Sequence, residues 1–216
     1  MADGQWLMAD SDLATQFGGI DIYLFDQLLR GRISPAMRVV DAGCGSGRNL
    51  VYFFRAGYDV YATDIDPRAI AAVRGMAAAL SSPLAATNFR VEPVERMTLP
   101  DAFADVVISS AVLHFAEDEA QFNAMVQEMW RVLKPNGLFF CRLASTIGME
   151  NRMRRIEGRR FRLPDGSDRF LVDEEMLVGL TRTLGGTLLD PLKTSVVQDQ
   201  RCMTTWVVRK NVAKAG

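Results

Sequence analysis

Val39-Val40-Asp41-Ala42-Gly43-Cys44-Gly45-Ser46-Gly47-Arg48-Asn49 runs from two β-branched residues through an acid into a bend with glycine at alternate positions. The apolar start reads as a strand, and residues 50–56 after the bend read as a helix. Glycine there tolerates positive φ where the chain reverses, and it removes the Cβ that would hold a ligand off the backbone. Beyond the carboxyl end of a central strand is where open α/β sheets bind ligands. The dinucleotide fingerprint spaces its glycines G-x-G-x-x-G and sets a helix N-terminus against a pyrophosphate. Here the spacing is G-x-G-x-G, and Asp41 just before it would repel a pyrophosphate and suit a cation.

On either side of this bend, short apolar runs at residues 38–41, 59–64, 89–92, 105–109 and 138–143 alternate with helical patterns. That rhythm predicts an α/β fold, a parallel sheet with helices on both faces. Asp66 and Pro67 supply a cap and a first helical residue for a helix to about residue 80, which Ser81-Ser82-Pro83 closes. Residues 117–133 place Phe122, Met125, Val126, Met129, Val132 and Leu133 on one helical face, and Lys134-Pro135-Asn136-Gly137 turns into the next strand. Residues 144–172, with the turn Leu163-Pro164-Asp165-Gly166-Ser167, read as an insertion or hairpin. Asp173 caps a helix to about residue 184, and residues 187–197 and 201–209 form a final antiparallel pair. Residues 1–35, with Trp6, Phe17 and Tyr23, are expected to include one amphipathic helix serving as a cover or lid.

A chain of 216 residues without repeat or linker predicts a single domain. Hydrophobic residues at 49% and charged residues at 24% are an ordinary globular balance. Twenty-five basic against 26 acidic side chains give a net charge of -1, so no global field favours nucleic acid or an anionic membrane. Cys44, Cys141 and Cys202 are widely spaced with no C-x-x-C pair, which suggests neither a disulfide framework nor a metal site. The N-terminus has no basic start or long apolar run, so no signal peptide or membrane span is expected and the cytoplasm is the default compartment.

Asp64 stands 23 positions after Asp41, at the end of the second strand, where a carboxylate can accept from both hydroxyls of a ribose. Ile65 beside it could cover one face of an adenine. An adenosyl amino acid with a sulfonium would suit this pair of carboxylates. Taken singly, Asp41 also reads as satisfying loop amides, and Asp64 as capping the turn into the next helix.

These segments resemble the class I S-adenosylmethionine-dependent methyltransferase superfamily. Asp41-Ala42-Gly43-Cys44-Gly45-Ser46-Gly47 is similar to its first motif and Ala62-Thr63-Asp64-Ile65-Asp66 to its second. Glu95-Arg96-Met97-Thr98-Leu99-Pro100 and Phe103-Ala104-Asp105-Val106-Val107 resemble its adenine loop and fourth strand. Arg131-Val132-Leu133-Lys134-Pro135-Asn136-Gly137 is similar to its R-V-L-K-P-G-G turn, with Asn136 for the first Gly. Gly47-Arg48-Asn49 and Ala56-Gly57-Tyr58-Asp59-Val60 look most like the tellurite-resistance type of small methyltransferase. The resemblance implies a Rossmann-like, doubly wound, seven-stranded sheet with an antiparallel last strand, with residues 36–143 as the cofactor half and 173–210 as the last helix and strand pair. It implies S-adenosyl-L-methionine as cofactor, adenine contacts near Val94 and Glu95, and contact of Ser110 with the cofactor's amino-acid end. The family's acidic residue is absent from the adenine loop, where Pro93 stands nearby. Ser110 also reads as an ordinary strand-end hydroxyl.

Methyl transfer from a sulfonium releases a neutral leaving group, so positioning and desolvation can supply most of the acceleration. A hydroxyl or ammonium acceptor also needs a base, for which the single histidine, His114, is the candidate. It equally reads as a packed or capping imidazole. Arg152, Arg154, Arg155, Arg159, Arg160 and Arg162 stand against Glu150 and Glu157 in the expected insertion, which admits an anionic small-molecule acceptor or a solvated helix face. A cofactor-binding sensor or subunit without catalysis remains an alternative reading, as does a nicotinamide-dependent oxidoreductase, against which Asp41 and the glycine spacing count. No N-P-P-Y type motif follows the fourth strand, as a nucleic-acid methyltransferase would suggest.

Overall fold

The protein is described by a computed structural model that covers residues 12–80 and 83–212. Trp6 and the helix-closing Ser81 and Ser82 lie outside the described residues.

Strand β1 (Arg38–Ala42) is buried at every position after the first, as a strand covered on both faces must be. Val39 packs into the core on one side of the sheet, and Val40 and Ala42 into the core on the other. β1 pairs in parallel with β2 (Asp59–Asp64) and β4 (Ala104–Ser110), which pair in parallel with β3 (Phe89–Val91) and β5 (Leu133–Ala144) respectively. Two further strands, β10 (Lys193–Val197) and β11 (Arg201–Lys210), complete the path β10-β11-β5-β4-β1-β2-β3, in which β11 runs antiparallel to both neighbours. The path therefore has the seven strands and the reversed last strand that the sequence reading expected. A short strand, β9 (Gly186–Leu188), pairs with the far end of β11 off this path.

The expected strand over 187–197 is thus two pieces. Pro191 lacks a donor for the ladder, and the Asp190 carboxylate is taken up by Arg32 Nη1 at 2.7 Å and Gln27 Nε2 at 3.2 Å.

Helices α2 (Ile22–Leu29), α3 (Val51–Arg55) and α4 (Pro67–Ala79) cover one face with Leu24, Phe53 and Ile70. Helices α5 (Glu119–Val132) and α6 (Glu174–Thr183) cover the other with Phe122, Met129 and Leu177. Asp66 and Asp173 cap α4 and α6 as expected, accepting from Arg68 N at 2.9 Å and Met176 N at 2.8 Å. Asp118, one residue inside the expected start, caps α5 through Gln121 N at 2.8 Å. Before β1 there are two short helices rather than one, α1 (Leu13–Phe17) and α2, because Gly18 takes φ 60° and Asp21 starts a new cap on Tyr23 N.

Residues 144–172 fold as a three-stranded antiparallel meander, β6 (Arg154–Glu157), β7 (Arg160–Arg162) and β8 (Asp168–Phe170). Arg154, Arg155, Arg160 and Arg162 therefore lie on strands and Arg152 and Arg159 in the connections, none of them on a helix face. Gly158 at φ 52° and Gly166 at φ 83° make the turns. Phe161, Leu163 and Leu171 pack with Ala144 in a small core, and Phe170 stacks on Phe122 of α5 at 4.8 Å. Among the described residues no helix is long and apolar enough to cross a membrane.

Candidate active site

From β1 the chain builds outward through β2 and β3, then returns to place β4 on the other side of β1. The carboxyl ends of β1 and β4 therefore flank a switch point, the place where such sheets open a crevice. A cavity of about 510 Å³ lies there, bounded by the glycine bend, the ends of β2 and β4, and α5.

The bend is pinned to β2: Gly43 N and Cys44 N both donate to Thr63 O, at 2.8 and 2.9 Å. Gly45 N donates to Asp64 Oδ2 at 2.8 Å, and Asp66 N donates to Asp64 Oδ1 at 2.9 Å. Asp64 thus caps the turn after β2 and also faces the cavity, so the two sequence readings of this residue are not exclusive. Gly43 has φ 78°, and a Cβ there would stand 2.6 Å from Val112 Cγ2. Gly45 has φ 52°, and a Cβ there would meet nothing within 4 Å. Gly43 is needed for packing, and Gly45 keeps a floor of the cavity bare.

Eight of the expected cofactor residues, Gly43, Cys44, Gly45, Asp64, Ile65, Val94, Glu95 and Ser110, line this one cavity. Asp41 and Ala42 do not line it. Ala42 is fully buried in the core, and Asp41, 2% exposed, lies under the bend with Oδ2 unpartnered. Burial pushes the Asp41 carboxyl up to about 7; the nearby Arg48 opposes this, and the Asp64 charge adds to it. Ile65 is 74% exposed at the rim, an apolar side chain with a face to offer. Val94 and Glu95 sit in a single turn after β3, where Glu95 accepts from Gln121 Nε2 of α5 at 3.1 Å. Ser110 accepts from Arg48 Nη2 at 2.8 Å, so its hydroxyl anchors an arginine.

A second cavity of about 250 Å³ adjoins the first, and Arg48 and Ala111 line both. Ala111 has φ 65°, strained for a residue with a Cβ, and is held there by donating its N–H to Arg142 O at 2.7 Å. His114 lines the second cavity and is 6% exposed. The expectation of a general base meets an obstacle here. His114 Nδ1 accepts from Ala144 N at 3.2 Å, which leaves the neutral ring's proton on Nε2. Burial, with the Arg169 charge, holds its pKa down at about 4. At neutral pH the ring offers a donor rather than an acceptor.

None of the six arginines between 152 and 162 lines either cavity. Arg159 pairs with Asp173 at 2.8 Å, and Arg152 and Arg162 pair with Asp199 and Asp168. The cavity walls instead use Arg142, Arg169 and Arg201, which the sequence reading passed over, along with Phe115 and Met125. Arg142 could have been found, as a charge inside the apolar run of β5.

Residues 40–141, from β1 through most of β5, match the family described as "Methyltransferase domain". The meander and β9–β11 lie beyond the match. The chain is similar to a malonyl-[acyl-carrier protein] O-methyltransferase of Serratia marcescens, 31% identical over 53% of this chain and 42% of that one. It spans less than half the length of the first relatives it matches. Among solved structures, a Burkholderia thailandensis 1,6-didemethyltoxoflavin-N1-methyltransferase with bound S-adenosylhomocysteine superposes with a TM-score of 0.67, 19% identity, and 93% and 82% of the two chains covered. TehB of Haemophilus influenzae gives a TM-score of 0.66, 17% identity, and 87% and 62% covered. These two solved structures share the fold of this chain.

Proposed function

We propose that the chain binds S-adenosyl-L-methionine in the larger cavity and transfers its methyl group to a small molecule in the adjoining one. The observation that carries this reading is the buried, unpartnered Asp41 Oδ2 beneath a bend left bare at Gly45, with Asp64 one strand away. An orphaned buried carboxylate fits a cation and opposes a pyrophosphate, which disfavours a nicotinamide dinucleotide. When bound there, the sulfonium cofactor would supply an electrophilic methyl group with a neutral thioether as its leaving group.

The protein's share is positioning. Asp64, whose oxygens retain lone pairs beside their two backbone bonds, would hold the ribose hydroxyls. Ile65 and Val94 would enclose the adenine, and Gly43, Cys44 and Ser110 would face the amino-acid end, with Asp41 acting through the bend. Phe115 and Met125 would keep water from the reacting atoms. His114 would orient the acceptor as a donor through Nε2–H. Gly47-Arg48-Asn49 and the likeness to TehB support kinship with the tellurite-resistance type. The buried thiols Cys44, Cys141 and Cys202 support a reducing, cytoplasmic setting.

The test is incubation of the protein with methyl-labelled S-adenosylmethionine and a small-molecule extract. Label should appear in a small acceptor, and Asp64→Ala should cut the transfer at least tenfold. Binding of the cofactor without transfer to any acceptor would favour a sensor or subunit instead.

A further inference from the structure

The second cavity is lined by four arginines drawn from four parts of the chain: Arg48 after β1, Arg142 on β5, Arg169 on β8 and Arg201 on β11. Asp165 is the only carboxylate among the described residues lining it. Two of the arginines are already occupied. Arg142 Nη1 donates to Asp21 Oδ2 at 2.8 Å, and Arg48 lies 3.8 Å from the same oxygen while donating to Ser110. The other two are not. Arg169 donates Nη1 to the backbone oxygen of Asp168 at 2.7 Å and lies 4.8 Å over the Phe115 ring, but forms no close ion pair among the described residues. Arg201 likewise forms no close ion pair among the described residues. Asp165 acts on both only at a distance, and its carboxylate is bonded to Ser167 N at 2.9 Å and Ser167 Oγ at 2.6 Å.

Among the described residues, the end of the cavity formed by the meander turn and β11 therefore carries more positive than negative charge, Arg169 and Arg201 against Asp165. His114, neutral with its proton on Nε2, adds a donor and no acceptor to the walls. Leu163, Val197 and Met203 add apolar surface. The space of about 250 Å³ is below the range of roughly 300–1,000 Å³ common for drug-sized ligands. Donors, guanidinium charge and apolar walls in a small space select a small organic anion, and a guanidinium fork matches the two oxygens of a carboxylate or phosphate.

We propose that the methyl acceptor is a small organic oxyanion whose charged group is bound by Arg169 and Arg201, with its other end directed to Ala111 and Arg48, where the two cavities meet. This rests on the methyl-transfer reading given above and assigns its acceptor class. The charge that selects the acceptor then comes from residues outside the matched methyltransferase segment and not from the arginine run of β6 and β7.

Three probes test it: benzoate, phenyl phosphate and the neutral benzamide, each titrated calorimetrically into the wild-type protein and into Arg169→Gln/Arg201→Gln. Arg169 is half-buried in the middle of β8 and Arg201 is exposed at the start of β11, and thermal melting reports whether the variant folds. Both anions should bind the wild type at least tenfold more tightly than benzamide, and the double variant should lose that preference. If neither anion outbinds benzamide on the wild type, a comparison that needs no variant, the proposal is overturned. It is overturned too if the preference survives in the folded double variant. A parallel titration of wild-type protein with S-adenosylhomocysteine separates the two ideas: failure there removes the cofactor reading, while failure of the anion preference alone removes only the acceptor class.

Discussion

The Asp21 carboxylate, with no solvent exposure, receives Arg142 Nη1 at 2.8 Å, joining the cap of α2 to the end of β5 across 121 residues of sequence. Asp21 N also donates to Asn49 Oδ1 at 2.9 Å, at the end of the glycine bend. The N-terminal cover is thus tied to both cavities. Removing one member of a buried pair leaves the other charge uncompensated, so Asp21→Ala should lower unfolding free energy by about 3 kcal/mol, measured by urea denaturation. An unchanged midpoint would show that the pair contributes no net stability.

Gly43 and Gly45 should fail differently. Alanine at either position pays roughly 1–2 kcal/mol for left-handed backbone. Only Gly43→Ala adds the overlap with Val112, so it should melt at a lower temperature than Gly45→Ala, and Val112→Ala should partly rescue it. Gly45→Ala should instead weaken S-adenosylhomocysteine binding at least tenfold, by calorimetry.

Asp41 gives a pH signature. Its folded pKa is raised to about 7, so the folded state binds the proton more readily than the unfolded state between the ordinary carboxylate value of 3.8 and 7. Stability from this group falls as pH rises through that window. Asp41→Asn should therefore melt higher than wild type at pH 8 and nearly alike at pH 4. The charged groups around Asp41 are Arg48 and Asp64. Wild-type affinity for the cationic cofactor should increase from pH 6 to 8, and in Asp41→Asn both the affinity and its pH dependence should drop.

The opposite sign applies to His114. With a folded pKa of about 4 against 6.5, its neutral burial favours the folded state above pH 6.5, and that contribution is lost as pH falls from 6.5 to 4. His114→Gln, which retains an acceptor for Ala144 N, should lose less stability over that window. Turnover of the wild type should show no inflection near 6.5 that the variant abolishes; finding one would restore the base role.

Much of this was readable from residues 38–143 because local signals there agree. Asp66-Pro67 starts α4, and the glycine bend with Asp64 marks one cavity. What escaped depends on long-range geometry. Asp21 carries no sequence mark of its pairing with Arg142, and Arg201 reaches the second cavity only because β11 folds back against β5. The dense arginine run carried two readings, acceptor binding or a solvated surface, and the strand register bears on both: it brings Arg162 beside Asp168, while Asp173 takes up Arg159 and Asp199 takes up Arg152, so half of the run is paired. His114 lines the second cavity, but the tautomer that decides its chemistry follows from Ala144 N, 30 residues away.

The central claim is tested most directly by titrating the wild-type protein with S-adenosylhomocysteine and, separately, with NAD in a calorimeter. Stoichiometric binding of the first and no heat from the second is the predicted result. Binding of NAD, or no binding of S-adenosylhomocysteine, would contradict the assignment of the larger cavity.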